Sequence, residues 1–95
     1  MNKAIIQKLK ELKPILFEKY GIEKFGVFGS QARGDFSKDS DVDIVIYKMK
    51  VKSGFDLFYA KKFLETELNK KIDIGMYNSI KTYIKKRINE DVVYV

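Results

Sequence analysis

The chain predicts an α/β (α+β) fold, a small β-sheet with helices packed mainly on one face. Three observations carry that prediction. Apolar residues recur at helical spacing near the N-terminus (Ile5, Leu9, Leu12, Leu16) and again at Leu57, Ala60, Leu64 and Leu68. Short apolar runs separated by polar turns stand at Phe25–Phe28, Val42–Ile46 and Ile72–Met76. Their order, α-β-(short α)-β-α-β-α, suits helices laid over a single layer of strands.

The first helix is expected from Asn2 to about Tyr20, with lysines between the apolar positions. Pro14 should kink it or restart it as a first-turn proline, and Gly21 should stop it. Lys24 to Phe28 is the first strand and Val42 to Tyr47 the second, with a helical turn from Ser30 to Arg33 between them. Lys48 to Gly54 reads as a loop carrying Lys48, Lys50 and Lys52. Asp56 is a candidate N-cap for a helix ending at Leu68. After the turn at Asn69-Lys70 comes a third strand, Lys71 to Tyr77. There Ile72, Ile74 and Met76 alternate with Lys71, Asp73 and Gly75, so one face is apolar. Ser79 should cap a last helix through Ile88, with Ile80, Tyr83, Ile84 and Ile88 on its apolar side. The tail Val92–Val95 suits an edge strand.

At 95 residues there is room for one core, so residues 1–95 are expected to form a single domain. A domain of that size buries only about two-thirds of its unfolded surface and should lean on a partner. Apolar content of 45% with 14% aromatics belongs to a globular chain. No apolar run is long enough to span a bilayer, and the charges throughout MNKAIIQKLKELKP leave no signal-peptide core, so a cytoplasmic location is expected. Without cysteine there is no disulfide framework or thiolate zinc site. Without histidine the usual general base and the usual transition-metal ligand are both missing. A metal would have to be held by oxygen, which favours magnesium or manganese. The net charge of +6 raises the question of nucleic acid, but the lysines are scattered over the outer faces of the expected helices. A solvated surface explains them better than a nucleic-acid groove.

The chemistry concentrates in FGSQARGDFSKDSDVDIVI, Phe28 to Ile46. Gly29 permits a sharp turn at a strand end and close approach of a ligand. A helical turn from Ser30 would present N–H groups and a hydroxyl to an anion, and Arg33 can fork onto a phosphate oxygen. Its plain alternative is a surface pair with Asp35. Asp41 and Asp43, two apart at the mouth of a strand, point the same way. Two such like charges repel unless a cation lies between them. Each feature alone has an ordinary explanation, a turn or a polar strand entry. Together, at the fixed spacing Gly29-Ser30, ten residues, Asp41-x-Asp43, they make an anion cradle facing a metal site. Asp73 is the third acid, on a strand expected beside that of Asp43. Three carboxylates on one surface can hold two cations about 3.5–4 Å apart.

These residues resemble a family. Gly29-Ser30-Gln31-Ala32-Arg33-Gly34 followed by Ser40-Asp41-Val42-Asp43 is similar to the motif of the DNA polymerase beta-like nucleotidyltransferase superfamily. The short chain, Ile72-Asp73-Ile74 and the ending Val92-Val93-Tyr94-Val95 resemble its minimal nucleotidyltransferase (MNT) branch. The resemblance covers nearly the whole chain and implies a mixed sheet of the polymerase-beta palm kind. Asp41, Asp43 and Asp73 would then be the catalytic acids and Mg2+ ligands, Asp73 also helping to deprotonate the acceptor hydroxyl. Gly29, Ser30 and Arg33 would bind the nucleotide. Members of this architecture are antitoxins that move AMP from ATP to a tyrosine of a HEPN-domain toxin. Two other readings stay open: a non-catalytic antitoxin that simply covers its partner, and an aminoglycoside-type enzyme acting on a small molecule. Larger relatives carry a further acceptor-binding domain, so a core of this length is expected to work in a hetero-oligomer. The aromatics Phe55, Phe58, Tyr59, Phe63 and Tyr83 exceed what the helices need to bury. Some are expected to border the acids as a docking patch, together with the Lys48–Gly54 loop.

Overall fold

Alternation of apolar and polar residues along three strands decides the architecture, because it gives the sheet a face to bury. The computed structural model describes residues 1–51 and 53–95; Lys52, one of the three loop lysines, lies outside the described residues. The elements are α1 (Lys3–Tyr20), β1 (Ile22–Phe28), α2 (Ser30–Arg33), β2 (Val42–Met49), α3 (Asp56–Leu68), β3 (Ile72–Met76), a 3-10 turn (Tyr77–Ser79), α4 (Thr82–Asp91) and β4 (Val93–Tyr94). The strand order is β3-β2-β1-β4. β1 is antiparallel to β2 and β4, whereas β2 and β3 are parallel, so the sheet is mixed. A parallel pair needs a crossover, and α3 supplies it.

Val42, Ile44 and Ile46 of β2 share one face with Phe25 and Val27 of β1 and with Ile72 of β3. Against that face α1 lays Ile5, Ile6, Leu9, Leu12 and Leu16, and α3 lays Ala60, Leu64 and Leu68. Leu9, Val27, Val42, Ile46 and Ala60 have no exposed surface at all. Removing that much apolar area from water, at about 25 cal/mol per Å², is what holds a chain of this size together. The opposite face carries Gly26 and Phe28 of β1, Asp43, Val45 and Tyr47 of β2, and Asp73 and Gly75 of β3. It is covered partly by α4 and the 3-10 turn. Val92 closes on the Gly26 backbone, where a side chain would collide with it, and Ile80 lies near Gly75 with room for a Cβ between them. At the end of this face remote from the acids, Tyr47 stacks at a tilt between Tyr77 and Tyr94, with ring centroids 5.0 and 5.5 Å away.

Asn2 caps α1 by accepting the Ile5 N–H at 3.3 Å, and the helix runs on through Pro14 as one segment. Gly21, at φ 73°, ends it; a side chain there would collide with the Lys50 carbonyl. The loop expected from Lys48 begins later. Lys48 and Met49 belong to β2 because Met49 pairs with Ile22, across an irregularity that also starts β1 two residues early. Asp56 is the first residue of α3 and not its cap. Phe55 holds the cap position, and the Asp56 carboxylate accepts from Ser53, where its charge also suits the helix N-terminus. Ser79 does not cap α4. It closes the 3-10 turn, Ile80 stays extended so that it can reach over Gly75, and α4 starts at Thr82 after Lys81. β4 forms the expected edge, pairing Val93 with Val27.

The exposed aromatics divide. Phe55, Phe58 and Tyr59 are more than half exposed, but they lie on the first turns of α3, which begins where β2 ends. The six-residue span from Asp43 to Met49 places that end about 20 Å from the acids. Tyr59 lines a groove with Lys19 and Tyr20 at the close of α1, not with any acid of the motif. The expectation of a docking patch and basic loop beside the acids therefore fails for these residues. Tyr83, 65% exposed, does stand on the acid side, and Phe63 packs against the core.

Candidate active site

The spacing between the glycine-serine turn and the acids follows from strand pairing. Phe28, the last residue of β1, sits opposite Asp43, so the turn that follows it rises directly against the Asp43 carboxylate. Gly29 adopts φ 75°, and any Cβ there would collide with Asp43 Oδ2. Only glycine meets both demands. Ser30 to Arg33 then form one helical turn, with the Gly29 carbonyl accepting from the Ala32 and Arg33 N–H groups at 3.1 and 3.0 Å. Gly34, at φ 99°, ends it by donating to the Ser30 carbonyl.

β2 and β3 set the acids. Asp43 and Asp73 are register partners on the same face, and Asp41 stands immediately before β2. Asp43 is half-buried, and its carboxyl is pushed above the usual carboxylate range. Burial is the main cause, followed by the charges of Asp73 and then Asp41, while Arg33 opposes them. A carboxylate taken partly out of water beside two further acids is disfavoured in its charged form. Among the described residues no three acids close on one point as a formed metal cage would. The donor set is nonetheless of the kind a hard cation takes: it is all oxygen, with Asp43 and Asp73 side by side on adjacent strands and Asp41 just before them.

Arg33 points away from the turn. Its guanidinium pairs with Asp91 at 2.9 Å and Asp35 at 3.3 Å, and these two carboxylates, Asp91 first, raise its pKa. The surface pair with Asp35 thus exists, joined by a partner from the end of α4 that the sequence did not reveal. Its charge still favours the ionised form of Asp43, less than burial and the two acids oppose it.

Gln31 was missed altogether. It is fully buried in α2, accepts from Asn2 Nδ2 at 2.8 Å, and donates to the carbonyls of Ser40 and Asp41 at 3.3 and 3.4 Å. The Asn2 N–H also donates to the Gln31 carbonyl at 2.7 Å. One amide therefore fixes the backbone of the first acid to the glycine-serine turn and to the start of α1. Farther along the same loop, Ser40 Oγ accepts the Ser37 N–H at 2.8 Å. A glutamine inside SQAR carries no spacing signal, so only the fold shows its partners.

A glycine-serine turn against a carboxylate pair on adjacent strands of a mixed sheet defines a nucleotidyltransferase site. The profile of the nucleotidyltransferase domain family matches residues 9–95, and the chain belongs to that family. It is 38% identical over 80 residues to the protein adenylyltransferase MntA of Thermococcus cleftensis, covering 84% of this chain and 81% of that protein. Its fold matches a structure described as a minimal nucleotidyltransferase, with TM-score 0.78, 24% identity, and coverage of 98% and 95%. It also matches the complex of a tri-AMPylated HEPN toxin of Shewanella oneidensis with an MNT antitoxin, with TM-score 0.69, 16% identity, and coverage of 99% of this chain and 71% of that one. Among the described residues no helix is long and apolar enough to cross a membrane.

Proposed function

We propose that residues 1–95 act as one magnesium-dependent adenylyltransferase domain that moves AMP from ATP to a tyrosine hydroxyl of a HEPN-type toxin, neutralising it in the cytoplasm. The observation that carries this reading is the juxtaposition of Gly29, Asp43 and Asp73. A glycine-serine turn, a half-buried central acid and a neighbouring carboxylate lie in sequence across one face. The similarity to an adenylyltransferase and to an antitoxin bound to an AMPylated HEPN toxin supports AMP as the group transferred and such a toxin as the partner.

Magnesium, when bound by Asp41, Asp43 and Asp73, neutralises phosphate charge and orients the triphosphate. Gly29 and Ser30 take the phosphates against exposed backbone. Arg33 exchanges a carboxylate for a phosphate oxygen, a group its planar fork fits equally well. The acceptor oxygen attacks the α-phosphorus, its O–P bond forming as the bond to pyrophosphate breaks, and its proton passes to the Asp73 carboxylate. Gln31 holds the Asp41 backbone still throughout. Most of the rate enhancement is positioning and charge neutralisation, as in other phosphoryl transfers.

Intact-mass measurement of a co-expressed HEPN partner, before and after addition of ATP and magnesium, tests this. Mass increments of one AMP or more on the partner are expected. Neutralisation of the partner without added mass would mean that the chain acts by binding alone.

A further inference from the structure

A cavity of about 350 Å³ lies beside Asp73, between the sheet and the start of α4. Asp73 and Lys81 give it charged groups of opposite sign, Phe28, Ile80 and Ile84 give it apolar walls, and Tyr83 stands at its exposed side. We propose that this cavity is the acceptor pocket, taking a phenol side chain of the partner protein with the ring against the isoleucines and the hydroxyl toward Asp73. The assignment rests on the transfer reaction argued above.

Direction comes first. Across the face the order is the Gly29-Ser30 turn, then Asp43, then Asp73, and the cavity lies alongside this row, reaching from Phe28 on β1 to Asp73 and Gly75 on β3. In-line displacement puts the entering and leaving oxygens on opposite sides of phosphorus. With pyrophosphate leaving over the turn, the entering oxygen arrives from the side of Asp73. Chemistry comes second. The volume lies at the small end of ligand pockets, enough for one ring, and a mostly apolar lining with one carboxylate and one ammonium matches a group with an apolar body and a polar tip. A serine or threonine hydroxyl would leave the isoleucine walls unused.

Gly75 supplies an independent observation. It lies mid-strand in β3 without positive φ, and an added Cβ would meet only Ile80, at 3.9 Å. The fold does not need glycine there, and glycine weakens a strand. What its bare backbone does is keep the cavity open.

Gly75→Val should fill the space while suiting the strand. With the co-expressed HEPN partner as acceptor, its KM is expected to rise roughly tenfold or more, the ATP dissociation constant staying unchanged and the melting temperature unchanged or higher. Tyr83→Ala, at an exposed position, should move the acceptor KM in the same direction and carries the test if Gly75→Val does not fold. A weakened ATP affinity in these variants would place the nucleoside in the cavity and overturn the proposal. Unchanged KM and unchanged ATP affinity would overturn it as well. Absence of any AMP transfer by the unaltered chain would show instead that the reaction itself is misread, and the pocket assignment would fall with it.

Discussion

The face of the sheet under α1 and α3 and the face partly under α4 are built from alternate residues of the same strands, yet they are used differently. On the first, Val42, Ile44 and Ile46 are at most 2% exposed and belong to the hydrophobic core cluster. On the second, the same strand offers Asp43, whose ionised form is disfavoured by burial and by two more acids. Strand periodicity makes this division possible, since each residue moves to the other face from its neighbour. The first face provides stability; the second carries a cost that the proposed chemistry would explain. Substitutions on the two faces should therefore separate folding from transfer.

The largest separation is expected at Asp43. Asp43→Asn should lower the rate of AMP transfer by about a thousandfold or more, roughly 4 kcal/mol in activation free energy, while the chain stays folded. Partner mass at fixed times after ATP addition measures it, and wild-type turnover at saturating magnesium would remove Asp43 from the site. Leu9→Ala makes the converse test on the buried face. Loss of about 3–5 kcal/mol of stability is expected from the cavity it leaves, measurable by urea unfolding, with transfer intact wherever the variant remains folded.

Gln31 joins the two regions and should show a mixed effect. Gln31→Leu leaves Asn2 and the Ser40 and Asp41 carbonyls without their partner, a loss of about 1–3 kcal/mol. Transfer by the folded fraction should also fall, because the Asp41 backbone is no longer held. An unchanged urea midpoint would mean that the network is dispensable. The smallest effect is expected for Arg33→Ala. ATP affinity should weaken by about ten- to a hundredfold if the guanidinium exchanges Asp91 and Asp35 for phosphate. An unchanged dissociation constant from calorimetric titration would leave Arg33 as a tie between α2 and α4.

The buried face was legible in the sequence because helical and strand periodicities each mark it, from Ile5–Leu16 to Ile72–Met76. Gly29, Asp41, Asp43 and Asp73 could be picked out because turn chemistry and the i, i+2 rule act locally. Residues that depend on tertiary neighbours could not. Gln31 contacts Asn2 and the loop before β2, Asp91 meets Arg33 across 58 positions, and Ile80 displaces the expected cap at Ser79 by reaching over Gly75. The Phe55–Tyr59 aromatics were expected at the wrong end of the sheet for a related reason. β2 runs away from the acids before α3 begins, and closeness in sequence to the acid-bearing strand says nothing about which end of it a helix meets.

The claim that Asp43 is a cost to the fold relieved by a bound cation is tested most directly by thermal melting of the unaltered chain and Asp43→Asn, each with and without magnesium and ATP. Without ligand, the variant should melt at the same temperature or higher, since it lacks the disfavoured charge. With magnesium and ATP at a hundred times the dissociation constant, the unaltered chain should gain about 2.7 kcal/mol and the variant little or nothing. A variant that melts well below the unaltered chain without ligand, or that gains as much from the mixture, would contradict the account.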